Sequence, residues 1–181
     1  MAVHKIFVVG GGFMGSGIAQ TAITAGYEVR INDVSEELVA RSIAGIEKML
    51  TKNVTKGRMT EEAKQAAMAR LSGAASLDAA ADADLVIEAV AERVDIKKDV
   101  FRKLSDICRS DAILASNTSS ISIAELSSVV RNPERFLGMH FFSPVPLMEL
   151  LEIVKGVATA PESVDAAKAV GETLGKVCII A

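Results

Sequence analysis

The sequence is poor in the features that mark secreted, membrane-bound or metal-binding proteins. It has only two cysteines, Cys108 and Cys178, and its first apolar run covers no more than residues 6–9, which is too short for a secretory signal. No stretch reaches the roughly 18 apolar residues that a membrane-spanning helix needs. We therefore expect reduced thiols, a cytoplasmic location, no membrane association and no metal site.

An excess of charge of one sign is also missing. The chain has 20 basic and 23 acidic residues, which gives a net charge of −3, and the basic residues form no run. A nucleic-acid partner is therefore not expected. Because internal repeats and low-complexity linkers are absent, the 181 residues are predicted to form one domain, 1–181. With 50% hydrophobic residues and a mean hydropathy of +0.32, that domain can fill a core.

What the sequence does have is a glycine-rich turn directly after its first apolar run. Residues 4–9 predict a strand, residues 10–15 read Gly-Gly-Gly-Phe-Met-Gly, and helix-compatible residues follow. In this pattern Gly10 allows a sharp turn, Gly12 lets the backbone approach a phosphate, and Gly15 lets the helix pack on its strand. The pattern predicts a dinucleotide pyrophosphate at a helix N-terminus, and a glycine-rich turn without a ligand is the alternative.

The acidic residue Asp33 sets the expected type of dinucleotide. Residues 27–33 alternate as a second strand does and end on this carboxylate, 18 residues after Gly15. An acid at this spacing bonds the adenosine ribose hydroxyls, whereas a turn or helix-capping aspartate is the alternative. The next basic residue is Arg41, so a 2′-phosphate would meet negative charge and no cation. NAD is therefore expected rather than NADP.

Strand and helix patterns alternate along the rest of the chain. After Asp33 the apolar spacing predicts a long helix, and Thr60 can cap a second helix through about residue 71, so a two-helix excursion follows the second strand. Further strands are predicted at 83–88, 112–115, 136–142, 148–154 and 177–180, separated by helices at 94–108, 123–130 and 163–174. The predicted fold class is α/β, a Rossmann-type doubly wound, mostly parallel sheet with reversed strands near the C-terminus.

Four segments together carry a resemblance to a known family. They are the glycine turn, the Ile-Glu-Ala-Val-Ala-Glu segment at 87–92, the Ser-Asn-Thr-Ser-Ser loop at 116–120, and the His-Phe-Phe-Ser-Pro-Val-Pro segment at 140–146. With these motifs in order along the whole chain, the sequence resembles the 3-hydroxyacyl-CoA dehydrogenase family and, within it, the bacterial 3-hydroxybutyryl-CoA dehydrogenases. The resemblance implies NAD-dependent oxidation of a (3S)-3-hydroxyacyl-CoA, with 3-hydroxybutyryl-CoA the expected substrate, to the 3-oxoacyl-CoA.

The resemblance implies three catalytic residues whose chemistry suits this reaction. Oxidation of a secondary alcohol needs a base for the hydroxyl proton, and histidine can serve in both directions near neutral pH. His140 is one of two histidines, although a lone histidine beside aromatic residues is usually structural. The family pattern places Glu152 beside it to orient the imidazole, and an exposed edge-strand acid is the alternative. Ser119 occupies the family's active-site serine position, where a hydroxyl can bond the substrate oxygen.

The resemblance also assigns residues to the dinucleotide. Those implied to contact NAD are Gly10, Gly12, Phe13, Met14, Gly15, Asp33, Glu92, Lys97, Ser119 and Ser143. By pattern alone, Glu92 and Lys97 are only the start of an amphipathic helix. Ser143 stands where the family usually has asparagine, which weakens one expected contact.

The two-helix excursion is implied to reach the CoA part of the substrate. Lys56 matches a family position on this arm, and a cation there would attract the nucleotide phosphates. A solvated lysine cluster is the alternative. Ser119 is the second residue implied to contact the acyl-CoA thioester. Met49 stands where some members have a hydroxyl for CoA.

The chain ends at residues 177–181, just before the segment in which family members pass into a separate helical domain. That domain completes the active site and forms the homodimer interface of the family. We therefore expect the cofactor-binding half of an enzyme, without the C-terminal helical domain, that binds NAD but turns over little substrate alone. Its own oligomeric state is left open. A catalytically idle NAD-binding module, or a dehydrogenase of the same fold acting on a sugar acid or an aromatic alcohol, are the alternatives.

Overall fold

The structure, a computed structural model, describes residues 1–181. Its eight strands are β1 (Lys5–Val9), β2 (Glu28–Asn32), β3 (Leu71–Ala74), β4 (Leu85–Glu88), β5 (Ile113–Ser116), β6 (Phe136–Phe141), β7 (Leu150–Lys155) and β8 (Val177–Ile180). Its six α-helices are α1 (Phe13–Thr24), α2 (Glu36–Thr55), α3 (Glu61–Ala69), α4 (Val94–Ile107), α5 (Ile123–Ser127) and α6 (Pro161–Thr173). None of these helices combines the length and the apolar content that a membrane span requires.

All eight strands form one sheet in the order β3-β2-β1-β4-β5-β6-β7-β8. Strands β1 to β6 run parallel to one another, β7 runs antiparallel to β6, and β8 is parallel to β7. The order changes direction at β1, which lies between β2 and β4, and ligands of doubly wound sheets bind at this kind of switch point. The predicted fold class, with its reversed strands near the C-terminus, is confirmed.

The hydrophobic core covers both faces of the sheet. In β1, Ile6 and Val8 pack in a cluster with residues of α1, α2 and α6, whereas Phe7 and Val9 pack in a cluster with residues of α4 and α5. A parallel strand buried on both faces leaves no exposed face for a ligand. The polar groups that bind and react must therefore lie at the carboxyl ends of the strands.

The two-helix excursion after β2 is also confirmed, and each of its helices starts at a side-chain cap. Ser35 Oγ accepts from the Leu38 N–H at 3.2 Å before α2, and Thr60 Oγ1 accepts from the Ala63 N–H at 3.1 Å before α3. Acidic residues follow both caps, which suits the positive end of a helix dipole. Local sequence therefore sets both helix starts.

The end of α3 differs from the prediction. This helix stops at Ala69, and Leu71–Ala74 form β3 at the edge of the sheet, so the predicted helix to about residue 71 is wrong. The segment Leu-Ser-Gly-Ala has no β-branched or aromatic residue and therefore carries no local strand signal. Pairing with β2, in which Leu71 lies opposite Val29, decides its conformation.

Candidate functional site

The glycine turn joins β1 to α1 at the carboxyl edge of the sheet. Gly10 has a φ of +96°, and a Cβ at this position would lie 2.6 Å from the Ala89 carbonyl oxygen. Both the conformation and the space therefore require glycine. A Cβ on Gly15 would collide with the Gly10 carbonyl oxygen, so α1 can start this close to the turn only when residue 15 is glycine.

The start of α1 presents unpaired backbone donors. The N–H groups of Gly12, Phe13 and Met14 have no acceptor in the protein, and a Cβ on Gly12 would meet no atom within 4 Å. Open space and free donors at a helix N-terminus are what an anion needs. The residues present therefore fit the pyrophosphate of a dinucleotide.

The Gly11 peptide in the middle of the turn is held from both sides. Its N–H donates to Asp33 Oδ2 at 2.9 Å, and its carbonyl oxygen accepts from Ser16 Oγ at 2.9 Å and from Ser42 Oγ at 2.6 Å. Ser16 lies on α1 and Ser42 on α2, so two helices fix the turn. Sequence reasoning missed both serines because a single sequence does not show which helical serine faces a distant loop.

Asp33 lies at a cleft of about 720 Å³ beside the glycine turn. Its second oxygen, Oδ1, accepts from the Val34 N–H at 2.8 Å, so backbone donors orient the carboxylate. Asp95, Asp99 and Lys103 line the same cleft, and Lys103 pairs with Asp99 at 2.8 Å. The position of Lys103 at this cleft was not predicted from the sequence. The three carboxylates and one ammonium that line the cleft carry a charge of −2, and Arg93, which pairs with Asp95 at 2.8 Å, reduces the excess to −1. The remaining negative charge disfavours an additional phosphate group.

His140 and Glu152 face each other on neighbouring antiparallel strands. They are register partners in β6 and β7, and His140 Nδ1 lies 2.8 Å from Glu152 Oε2. The side chains are 18% and 33% exposed, so the pair is shielded but still accessible to a ligand. Phe142 packs beside the imidazole, with ring centroids 4.4 Å apart. The fold thus brings together the histidine and the glutamate that the resemblance named.

The strand that carries Glu152 begins later than predicted. The strand predicted at 148–154 starts instead at Leu150, so Glu149 precedes it. The N–H groups of Leu147 and Met148 both donate to the Pro144 carbonyl oxygen, which folds this segment into a turn instead. Pairing with His140, rather than alternation along the strand, places Glu152.

A buried lysine holds that turn in place. Lys176 Nζ donates to the carbonyl oxygens of Val145 at 2.5 Å and Met148 at 2.7 Å. Burial lowers the pKa of Lys176, and the charge of Glu149 acts in the opposite direction. The turn follows Ser143, which lines a cleft beside the histidine, so Lys176 fixes one wall of the site. Sequence reasoning missed it because no local pattern surrounds it.

A second cleft, of about 360 Å³, collects most of the remaining predicted residues. It is lined among others by Met14, Glu92, Asn117, Ser119, His140 and Ser143. Ala89 and Val90, which follow β4, line both this cleft and the one at Asp33. The two clefts therefore form one groove along the carboxyl edge of the sheet, from the end of β2 to the end of β6.

Glu92 is held in this groove by the loop after β5. Its Oε1 accepts from Thr118 Oγ1 at 2.5 Å and from the Ser119 N–H at 3.0 Å, and its Oε2 lies 3.2 Å from Lys97 Nζ. Burial acts to raise the pKa of Glu92, but the hydrogen bond from Thr118 and the charge of Lys97 outweigh it and lower the pKa to about 2. Glu92 is therefore an ionised carboxylate at neutral pH. Sequence reasoning gave no role to Thr118.

Lys97 lies beneath Glu92 and not at the surface of the groove. Its side chain is 0% exposed, and its Nζ lies 2.6 Å from Oε2 of Glu88, which is equally buried. Glu88 also accepts from Ser116 Oγ at 2.7 Å and from the Val90 N–H at 2.9 Å. A direct contact of Lys97 with the cofactor, implied by the resemblance, has no support in this geometry. The sequence does contain a signal for this buried cluster, because two apolar strands end on a polar residue, β4 on Glu88 and β5 on Ser116.

The family can be assigned from the match of the chain to a known domain. A family model described as "3-hydroxyacyl-CoA dehydrogenase, NAD binding domain" matches residues 5–181. The chain belongs to the 3-hydroxyacyl-CoA dehydrogenase family. This membership confirms the predicted family and NAD as the predicted cofactor.

Several members of the 3-hydroxyacyl-CoA dehydrogenase family are similar over nearly the whole chain. The 3-hydroxybutyryl-CoA dehydrogenase of Bradyrhizobium diazoefficiens is 44% identical over 96% of this chain and 59% of its own length. A probable 3-hydroxybutyryl-CoA dehydrogenase of Bacillus subtilis is 42% identical over 99% of this chain and 62% of its own. The solved 3-hydroxybutyryl-CoA dehydrogenase of Escherichia coli K12 has a TM-score of 0.97 at 40% identity, covering 99% of this chain and 38% of that one. The chain thus spans about three fifths of the two sequence relatives.

Lys56 of this chain lies apart from the groove. It is exposed at the C-terminal end of α2, forms no ion pair, and lines neither of the two clefts that make up the groove. Lys52 and Arg58 beside it are exposed as well. The structure therefore places a small basic cluster on the excursion, which is compatible with both the CoA contact and the solvated-lysine interpretation.

Proposed function

We propose that this chain supplies the NAD site and the acid–base pair of an enzyme that oxidises (3S)-3-hydroxyacyl-CoA, with 3-hydroxybutyryl-CoA as the preferred substrate, to 3-oxoacyl-CoA. The observation that carries the proposal is the 2.8 Å contact between His140 Nδ1 and Glu152 Oε2, beside a cleft that also contains Ser119. The names of the Bradyrhizobium diazoefficiens and Bacillus subtilis relatives support this substrate class.

In this proposal the hydroxyl proton of the substrate leaves through His140. Because Nδ1 faces Glu152, the other ring nitrogen, Nε2, is available to take that proton. Glu152 accepts a hydrogen bond from Nδ1, selects this tautomer and stabilises the imidazolium that forms. NAD, when bound, accepts the hydride that leaves the same carbon. In the reverse direction the imidazolium returns its proton to the substrate oxygen.

The residues proposed to hold NAD are spread along the groove. The free N–H groups of residues 12–14 would bind the pyrophosphate, and Asp33 would bind the adenosine ribose hydroxyls. Glu92 and Ser143 would line the nicotinamide end. Ser119 is exposed beside them, so its hydroxyl can donate to the substrate oxygen and stabilise the charge that develops there.

The proposal also covers the helical domain that follows the NAD-binding domain in members of the family. A helical domain would cover the groove, complete the acyl pocket and form the homodimer. The 18% and 33% exposure of His140 and Glu152 leaves the pair open to water, which weakens the electrostatic interactions that a closed site strengthens. The 181 residues alone are therefore proposed to bind NAD but to turn over substrate poorly.

Calorimetric titration of the chain with NAD and NADP tests the role of Asp33. NADP is expected to bind at least about tenfold more weakly than NAD, because its additional phosphate meets the negative end of the groove. Asp33→Asn should weaken NAD binding by about tenfold, since an amide loses the charge-assisted bonds to the ribose. The difference in affinity between NAD and NADP should become smaller. Glu62→Gln, an exposed change on α3, is the matched control and should alter neither affinity. Equal affinity of the unchanged chain for NAD and NADP would refute the role of Asp33.

Titration with acetoacetyl-CoA tests the substrate class. Lys56→Glu should weaken its binding by about fivefold or more, because the reversed charge repels the nucleotide phosphates, and NAD binding should not change. Lys48→Glu, the same charge reversal on an exposed position of the same helix, is the control. Equal effects of the two variants would favour a solvated lysine at position 56. No binding of acetoacetyl-CoA by a chain that binds NAD would favour an idle module or a different substrate.

A further inference from the structure

The nicotinamide end of the groove can be located from the fold. The pyrophosphate donors lie at the start of α1, and Asp33 marks the adenosine side over β2. A dinucleotide that crosses the switch point between β1 and β4 must extend its other half over β4, β5 and β6. The cleft at that end is the one lined by Glu92, Ser119 and His140.

Glu92 is the only aspartate, glutamate, lysine or arginine that lines this cleft. Beneath it, Lys97 and Glu88 form a fully buried pair at 2.6 Å, so their charges largely cancel. One ammonium and two carboxylates leave a cluster charge of −1, and Glu92 is the member with an exposed side chain, at 39%. The other titratable lining residue, His140, is paired with Glu152. Among the residues that line the cleft, Glu92 therefore supplies the only carboxylate, and it does so from a fixed position.

The position of this charge is set by the protein and not by a ligand. Thr118, the Ser119 N–H and Lys97 hold the two oxygens of Glu92 before any dinucleotide arrives. A carboxylate fixed in this way needs little reorganisation when a cation binds beside it. Its depressed pKa keeps it ionised throughout the neutral range.

We propose that Glu92 makes the site distinguish the two redox states of the dinucleotide, favouring NAD⁺ over NADH. The proposal rests on the proposed function of the groove. The nicotinamide ring carries a positive charge when oxidised and none when reduced, whereas the phosphates, riboses and adenine are the same in both forms. Only the oxidised ring is attracted electrostatically by the carboxylate. Reduction of the ring removes this attraction, so the same residue favours release of NADH.

The test compares the dissociation constants of NAD⁺ and NADH for the 181-residue chain, by calorimetry for NAD⁺ and by nicotinamide fluorescence for NADH. Glu92→Gln should weaken NAD⁺ binding about fivefold more than NADH binding, the change produced by losing one screened charge pair of about 1 kcal/mol. Glu92→Ala removes the same charge with a different shape and should shift the ratio in the same direction.

Two further variants separate charge from shape and position. Glu125→Gln removes an exposed carboxylate on α5 that lines neither cleft, and the ratio should stay within about twofold of the unchanged chain. Glu92→Asp keeps the charge and should retain most of the preference. If the ratio of the dissociation constants for NAD⁺ and NADH is unchanged in both Glu92→Gln and Glu92→Ala, the inference is overturned while the proposed function remains intact. Failure of the unchanged chain to bind either dinucleotide would instead overturn the proposed function.

Discussion

The substitution His140→Gln should lower kcat by about 10²- to 10⁴-fold, because glutamine cannot take the proton of the substrate hydroxyl. Glutamine retains a hydrogen-bonding group toward Glu152, so the strand pairing of β6 with β7 should persist. The measurement is the steady-state oxidation of 3-hydroxybutyryl-CoA by an enzyme in which these 181 residues are joined to the helical domain of the family. NAD affinity should change by less than about twofold, since the imidazole acts on the substrate and not on the dinucleotide.

The other histidine of the chain provides the matched control. His4 precedes β1 at the opposite end of the sheet from the groove, and His4→Gln should leave both kcat and NAD affinity unchanged. Unchanged turnover in His140→Gln would reject the proton-transfer role of His140. An equal loss of kcat and of NAD affinity would indicate that the substitution damages the fold of the groove instead.

The parts of the fold and site that could be predicted from the sequence are those set by local physics. The glycine turn is one example, because the conformation of Gly10 and the close approach at Gly15 are consequences of a missing Cβ within a few residues. The caps at Ser35 and Thr60 are another, since each side chain bonds a backbone group three residues away. The spacing of apolar residues also predicts whole helices and the strands that are buried on both faces.

The parts that could not be predicted depend on partners far apart in sequence. The strand β3 exists because it pairs with β2, and its own residues carry no strand signal. Ser42 reaches back to Gly11, and Lys176 reaches back to the turn at Val145. Lys97 shows the same limit for function, because the resemblance named the residue while only the structure shows that its ammonium is buried. Long-range hydrogen bonds therefore change the role of a residue without leaving a local pattern.

Burial of Lys97 leads to the second large effect. Its ammonium compensates the buried carboxylate of Glu88 at 2.6 Å, and both side chains are 0% exposed. Lys97→Met should therefore lower the free energy of unfolding by about 3–5 kcal/mol, because it leaves that carboxylate uncompensated. For a chain of this size the melting temperature should fall by about 10 °C. Urea unfolding followed by circular dichroism, together with calorimetric melting, measures both quantities.

The neighbouring lysine gives a control of identical chemistry. Lys98 pairs with Glu125 at 3.0 Å on the surface, so Lys98→Met should cost no more than about 1 kcal/mol. Combining Lys97→Met with Glu88→Gln should restore at least half of the lost stability, because the amide still accepts from Ser116 and no charge is left buried. If the double variant recovers nothing, the lysine stem matters through packing and not through its charge.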